Sequence, residues 1–137
     1  VLAPLGRWSD MSTIKAANLQ NTGSGAPAFK NSSGTEIGQL CKAWGKLNGT
    51  GTAALDDSFN VSSITDNGTG DYTFTFTNAM SNANYCAVGT SEYISGGGDI
   101  FQIVTVTNAT TSAVRVHNQQ LNNISLDGIV SIAIFGD

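Results

Sequence analysis

The stretch Asp71-Tyr72-Thr73-Phe74-Thr75-Phe76-Thr77 alternates aromatic and hydroxyl side chains without a break. In an extended chain, successive side chains point to opposite faces. Tyr72, Phe74 and Phe76 then form one apolar row and the threonines form a polar one, the pattern of a half-buried antiparallel strand. Asn67-Gly68 precedes this strand and follows the run Phe59-Asn60-Val61-Ser62-Ser63-Ile64. An Asn-Gly pair between two such runs predicts a hairpin, because both residues accept positive φ. Asn48-Gly49 plays the same part between Leu40–Leu47 and Ala53–Leu55. Further strands are predicted at Asn84–Thr90, Ile100–Thr107, Ser112–Asn118 and Gly128–Phe135. Short strands at this spacing predict an all-β chain, an antiparallel β-sandwich of about seven or eight strands.

The first part of the chain reads differently. Trp8, Met11 and Ile14 are spaced by three and Ser9 can cap, which predicts a short helix within Arg7–Gln20. Asn21-Thr22-Gly23-Ser24-Gly25-Ala26-Pro27 is a loop by composition. Residues 1–37 therefore read as a mostly irregular connecting segment and 38–137 as the sandwich domain.

Two predicted strands are apolar on both sides. Ile100, Val104 and Val106 share one side of their strand, and Phe101 and Ile103 the other. Ile129, Ala133 and Phe135 oppose Val130, Ile132 and Ile134. A sandwich strand in an isolated protomer is apolar on one side only. A second layer must cover these rows, either the N-terminal segment or another copy of the chain.

Only 12% of the 137 residues are charged, with 6 Lys and Arg against 10 Asp and Glu, for a net charge of −4. This argues against nucleic-acid binding, which needs clustered cations to displace counterions, and against attachment to anionic membranes. With 16 Gly, 14 Ser, 15 Thr and 13 Asn, the surface is polar through hydroxyls and amides. No apolar run approaches a membrane span, and no basic stretch followed by an apolar one opens the chain as a secretory signal.

No arrangement of side chains points to catalysis. Serines are abundant, but none lies in Gly-x-Ser-x-Gly, and His117 is the single histidine. It shares a strand face with Arg115 and reads as a solvated or interface residue. Asp56 and Asp57 are adjacent and point to opposite faces, so they cannot converge on one bond. Asp66 and Asp71 flank the Asn67–Gly70 turn and read as side-chain caps, with a calcium site as the alternative. Gly96-Gly97-Gly98 lacks the lysine of a phosphate loop. Cys41 and Cys86 show no Cys-x-x-Cys spacing. They read as two free thiols, with a bridge between them the alternative, testable by whether their Cα atoms lie within about 7 Å. Six Asn-x-Ser/Thr triplets occur, at Asn31, Asn48, Asn60, Asn67, Asn108 and Asn123. Such triplets arise by chance in so hydroxyl-rich a chain, and no glycosylation is expected.

Two loops have the composition of a recognition surface. Ser91–Asp99 combines a ring, two carboxylates and three consecutive glycines, and Asn118–Asp127 is rich in amides. Ring faces, amides and carboxylates suit sugar hydroxyls, and exposed loops commonly carry recognition.

The stretch Cys41-Lys42-Ala43-Trp44-Gly45-Lys46-Leu47-Asn48-Gly49-Thr50-Gly51-Thr52, followed by Ser58-Phe59-Asn60-Val61-Ser62-Ser63-Ile64-Thr65-Asp66-Asn67-Gly68-Thr69-Gly70-Asp71-Tyr72-Thr73, resembles the C-terminal domain of tailed-bacteriophage tail fibre proteins. The lead-in Asn21–Gly34 and the ending Ile132-Ala133-Ile134-Phe135-Gly136 are also similar. The likeness is close over residues 18–85 and looser beyond, and it departs at Gly45-Lys46-Leu47, where the family usually has Val-Asn-Phe. It implies a structural component of the virion, assembled in the host bacterial cytoplasm. The expected assembly is a homotrimer at the distal end of a fibre, joined to other fibre or tail proteins. Its expected role is host attachment by binding a surface glycan or outer-membrane receptor, without membrane insertion. The resemblance does not identify receptor residues; the composition of the two loops makes Tyr93, Glu92, Asp99, Asn118 and Gln119 the expected contacts. The expected oligomer contacts are Val104, Val106, Ile132, Ile134 and Trp44. No enzyme activity, cofactor or metal is expected. The alternatives are a purely structural domain that trimerises or joins the fibre, and a bacterial carbohydrate-binding adhesin module.

Overall fold

The computed structural model describes residues 29–92, 102–120 and 122–136. The helix predicted within Arg7–Gln20, together with Tyr93 and Asp99, lies outside the described residues. The fold is all-β, with ten strands: β1 (Phe29–Lys30), β2 (Glu36–Gly38), β3 (Cys41–Asn48), β4 (Ala54–Phe59), β5 (Val61–Gly68), β6 (Asp71–Phe76), β7 (Cys86–Ser91), β8 (Gln102–Ala109), β9 (Ala113–Gln120) and β10 (Ile129–Phe135). β1 and β2 form a small antiparallel arm. The other eight make two four-stranded antiparallel sheets, ordered β4-β3-β10-β7 and β5-β6-β9-β8. The sandwich expected from the alternation is the fold observed.

The core lies between the sheets. Tyr72, Phe74 and Phe76 of β6, with Val114 and Val116 of β9, are buried together with Ala43 and Leu47 of β3 and Val130, Ile132 and Ile134 of β10. Burying each large member of this cluster is worth about 1.5–3 kcal/mol. Phe76 and Tyr85 meet edge to face, with centroids 5.8 Å apart at 75°, a favoured aromatic geometry.

Residues Phe59–Ile64, read as one strand, are divided at Asn60. Asn60 has φ 56, a left-handed conformation that asparagine tolerates better than most residues. Its amide nitrogen donates to the carbonyls of Lys42 (3.0 Å) and Asn78 (3.1 Å), and its Oδ1 accepts from the Asn78 N–H at 2.7 Å. Those bonds stand in for the ladder while the chain turns from β4 in one sheet to β5 in the other.

Both hairpins form, with their tight turns displaced from the Asn-Gly pairs. Between β5 and β6 the turn is Thr69-Gly70, and Asn67 is the extra residue of a bulge between the Asp66–Tyr72 and Gly68–Asp71 pairs. Between β3 and β4 the loop runs over residues 49–53. Here Asn48 Oδ1 accepts from the Thr50 N–H and hydroxyl. Gly49 allows a close approach, since a Cβ there would sit 2.1 Å from the Tyr72 hydroxyl.

The strand directions give the sandwich two distinct ends. The arm β1–β2 joins β3 at Cys41, next to Phe135 and Cys86. At the opposite end, β3 finishes, β6 and β10 start, and loops 49–53, 69–70 and 122–128 gather. Gly49 N donates to Gly128 O (2.9 Å), Asn118 N to Gly70 O (2.7 Å) and Leu126 N to Asn118 O (3.0 Å). The Tyr72 hydroxyl and the Gly70 N–H both donate to Asp127 Oδ1 at 2.8 Å. The backbone of this end is thus braced across both sheets.

Candidate functional surfaces

Strand pairing fixes what each sheet shows to the outside. In the first sheet, Trp44 pairs with Phe59 on one side and Ala133 on the other, and Ala133 pairs with Val88. Paired residues in antiparallel strands project from the same face. Their neighbours Ala43, Gly45, Val130, Ile132 and Ile134 point into the core. Phe59, Trp44, Ala133 and Val88 therefore cross the whole outer face as one row. Phe59 is 54% exposed, Val88 49% and Trp44 37%, and Phe135 lies one pleat further on. A shallow cavity of about 150 Å³ opens beside the row, lined by Val88, Gly89, Thr90, Ser131, Ile132 and Ala133. Lys46, on the same face, pairs with Glu92 and faces Asp57 across the strand. The Glu92 carboxylate raises the pKa of Lys46 by accepting its hydrogen bond.

The second sheet presents the opposite chemistry. Thr73, Thr75, Ser63, Thr65, Thr105, Arg115, His117 and Gln119 face outward by their pairing. Asp71 sits among them. Arg115 Nε donates to its Oδ1 at 2.8 Å and Arg115 Nη2 to its Oδ2, a two-pronged contact. His117 Nε2 lies 3.0 Å from Asp71 Oδ2. The Arg115 hydrogen bonds hold the Asp71 carboxyl below the usual range, against the opposing effect of burial, with His117 adding to the lowering. Asp71 also raises the pKa of Arg115. Through these contacts the trio clamps β6 to β9.

The residues singled out as receptor contacts divide. Glu92 and Gln119 lie at the braced end, Glu92 on the side of the first sheet and Gln119 on the outer face of the second. Asn118 is fully buried. Its amide nitrogen donates to Leu126 O (2.9 Å) and Gln102 Oε1 (3.1 Å), and Gln102 also accepts from Ser91. Asn118 is therefore a strut between the sheets and not a surface contact. Its side chain shares the inward row with Val114 and Val116, a placement the period-two pattern of β9 already contained.

The oligomer contacts also divide. Trp44 faces outward and is 37% exposed. Val104 is packed against the core, and Val106 is 43% exposed on the edge strand β8. Ile132 and Ile134 are 4% and 0% exposed, so they belong to this chain's own core. Of the two apolar rows on β10, the one left for a neighbour is Ala133 and Phe135. Asp66 caps the turn as expected, accepting from the Gly68 N–H at 2.9 Å. Asp71 instead reaches across to β9. That pairing of non-consecutive strands is why the Asp71–Arg115–His117 trio escaped sequence reasoning.

Cys41 and Cys86 are free. They flank Phe135 on opposite sides of β10, two strand spacings or about 9.5 Å apart, beyond the reach of a disulfide. Among the described residues no group of three or more His, Cys, Asp and Glu could hold a metal ion, and no helix is long and apolar enough to cross a membrane. No protein-family model matches the chain, and comparisons with curated proteins and with solved structures find no match.

Proposed function

We propose that this chain is a homotrimeric distal domain of a bacteriophage tail fibre that attaches the virion to the host cell surface by binding a glycan. The observation that carries the reading is the polarity of the sandwich along its strands. The connecting arm enters beside Cys41, Cys86 and Phe135, and the loops that join the two sheets at the far end are gathered around Asp127, Gly70 and Gly128. A domain carried on a shaft at one end has its other end free to meet a surface. Glu92 and Gln119 lie at that free end, and the surrounding surface offers amides and hydroxyls, the donors and acceptors that sugar hydroxyls need.

The two outer faces support the self-association. The first sheet exposes a row of large apolar side chains, and the second exposes hydroxyls and an ion-paired trio. Three copies packed through the apolar side would leave the polar sides in water. Weak individual sites on three linked copies would then act together, so that avidity exceeds the affinity of any one.

The test is competition. Purified chain at three-chain mass by light scattering should bind host cells and block phage adsorption, and Gln119→Ala should weaken the block while leaving the mass unchanged. A trimer that neither binds cells nor blocks adsorption would leave a purely structural joining domain. A monomer that binds glycans would point to a bacterial adhesin module.

A further inference from the structure

The described residues hold a second unpartnered apolar surface, and it belongs to the arm. Phe29 is 43% exposed, Ile37 67% and Leu40 43%. Every residue of β1 and β2 except Gly38 is exposed. A two-stranded hairpin by itself is marginal in water. Yet this arm is hydrogen-bonded at its tip, where Asn31 Oδ1 accepts from the N–H groups of Ser33 (3.1 Å) and Thr35 (2.9 Å) and from the Ser33 hydroxyl (2.7 Å). The protomer thus carries a shaped apolar arm and an open apolar row, and neither covers the other.

We propose that the arm Phe29–Leu40 of one copy packs on the outer row Phe59–Trp44–Ala133–Val88 of the next copy. The partner is a second copy of this chain, and the contact is head to tail. The proposal rests on the self-association reading above and names the surfaces through which it occurs.

Three observations favour this occupant. The two surfaces lie at the same end of the sandwich, because Leu40 leads into Cys41, which pairs with Phe135. Their charges do not repel. The arm carries Lys30 opposite Glu36 in the strand register, and the row is bordered by Lys46 with Glu92 and Asp57. Their areas are also adequate. With side-chain areas of about 150–250 Å², the exposures correspond to roughly 300 Å² on the arm and roughly 300 Å² on the row. Together with a polar rim in the usual proportion, one junction would bury about 1,000 Å², the lower bound for a specific interface. A head-to-tail contact that closes on itself makes a ring and leaves no arm or row unfilled.

The experiment uses the full 137-residue chain carrying Trp8→Phe, which leaves Trp44 as the sole tryptophan. Light scattering and Trp44 emission are followed against protein concentration. The expected result is a three-chain species, with Trp44 emission shifting to the blue as it forms. Ile37→Asp on the arm and Phe59→Asp on the row should each raise the assembly midpoint roughly tenfold or more, with the β circular dichroism unchanged. Mixing the two variants should restore a two-chain species, because one carries an intact row and the other an intact arm. A trimer whose mass and Trp44 emission ignore Ile37→Asp would overturn the arm-to-row contact and leave the trimer standing. A chain that stays monomeric with red Trp44 emission would overturn both. A monomer with blue emission at every concentration would place the chain's own leading segment on the row, and would also overturn both.

Discussion

Gly70 is the position at which one methyl group should do the most damage. Its φ is +67, and a Cβ there would lie 2.5 Å from the Asn118 carbonyl oxygen and 2.8 Å from the Leu126 nitrogen. All the crowding atoms are backbone, so none can swing aside. Gly51 offers the control: its φ is +72, but a Cβ there meets nothing within 4 Å. Gly51→Ala should therefore cost only the conformational penalty, about 1 kcal/mol. Gly70→Ala pays the same penalty and must also push apart the Gly70–Asn118–Leu126 backbone, where Asn118 N donates to Gly70 O and Leu126 N to Asn118 O. Losing two such bonds costs about 1 kcal/mol each, and misplacing the Gly70 N–H from the Asp127 carboxylate adds about 1.5 kcal/mol. The expected total is about 4.5 kcal/mol, a large share of the 5–15 kcal/mol typical of a domain. Urea denaturation of both variants at one protein concentration gives the difference from midpoint and slope. If the two variants lie within about 0.5 kcal/mol of each other, the close approach of Gly70 is not what holds this end together.

Tyr72→Phe should cost about 1.5–2 kcal/mol at neutral pH, because the Asp127 carboxylate loses a donor. Burial first, and then the Asp127 bond, raise the Tyr72 pKa above its ordinary value. The stability tied to the neutral phenol is thus present below about pH 10 and lost as the pH rises beyond it. Wild-type chain should lose stability more steeply above that pH than Tyr72→Phe does, which alkaline unfolding curves would report. Asp71 acts in the opposite direction. Its pKa is lowered in the folded state, so its contribution is present above about pH 4 and disappears as the pH falls through the lowered value. The stability gap between wild type and Asp71→Asn should close over that acid range, and a gap independent of pH would contradict the clamp. Both thiols should react with a thiol reagent, Cys86 faster than the half-buried Cys41. Reductant should leave the melting midpoint unchanged, whereas a lower midpoint in reductant would indicate a bridge.

The strands were legible because alternation is a local signal. Tyr72, Phe74 and Phe76 announce a row whether or not their neighbours are known, and all three are buried. The same signal is silent about which of two apolar rows faces inward. On β10 both rows are apolar, and only the partner strands decide that Val130, Ile132 and Ile134 go inside. Asn60 was hidden for another reason. It sits in a run of good strand residues, and its positive φ is set by bonds to Lys42 and Asn78, which are 18 residues away in either direction. The turns were displaced because Asn-Gly is versatile: Asn67 fits a bulge, and Asn48 caps a loop with its side chain. Of the candidate contacts, Asn118 misled because an amide-rich stretch reads as solvated. Its neighbours Val114 and Val116 are on the same parity, and that parity outweighs composition.

The core also has a consequence for the outer row. Shifting one strand by a single residue moves every side chain to the other face. On β3, β4, β7 and β10 such a slip would expel Leu47 or Val130, Ile132 and Ile134 into water, at about 1.5–3 kcal/mol for each. The register that protects the core therefore also aligns Phe59, Trp44, Ala133 and Val88, although no contact among these four is needed to hold them in line. An interface specified in this way needs no loop rearrangement when a partner arrives, and little of its binding energy goes into ordering. It also follows that core substitutions that preserve strand register should leave the proposed self-association intact even where they reduce stability. Polar substitutions on the outer row should do the reverse, because their side chains touch little of what folds the protomer.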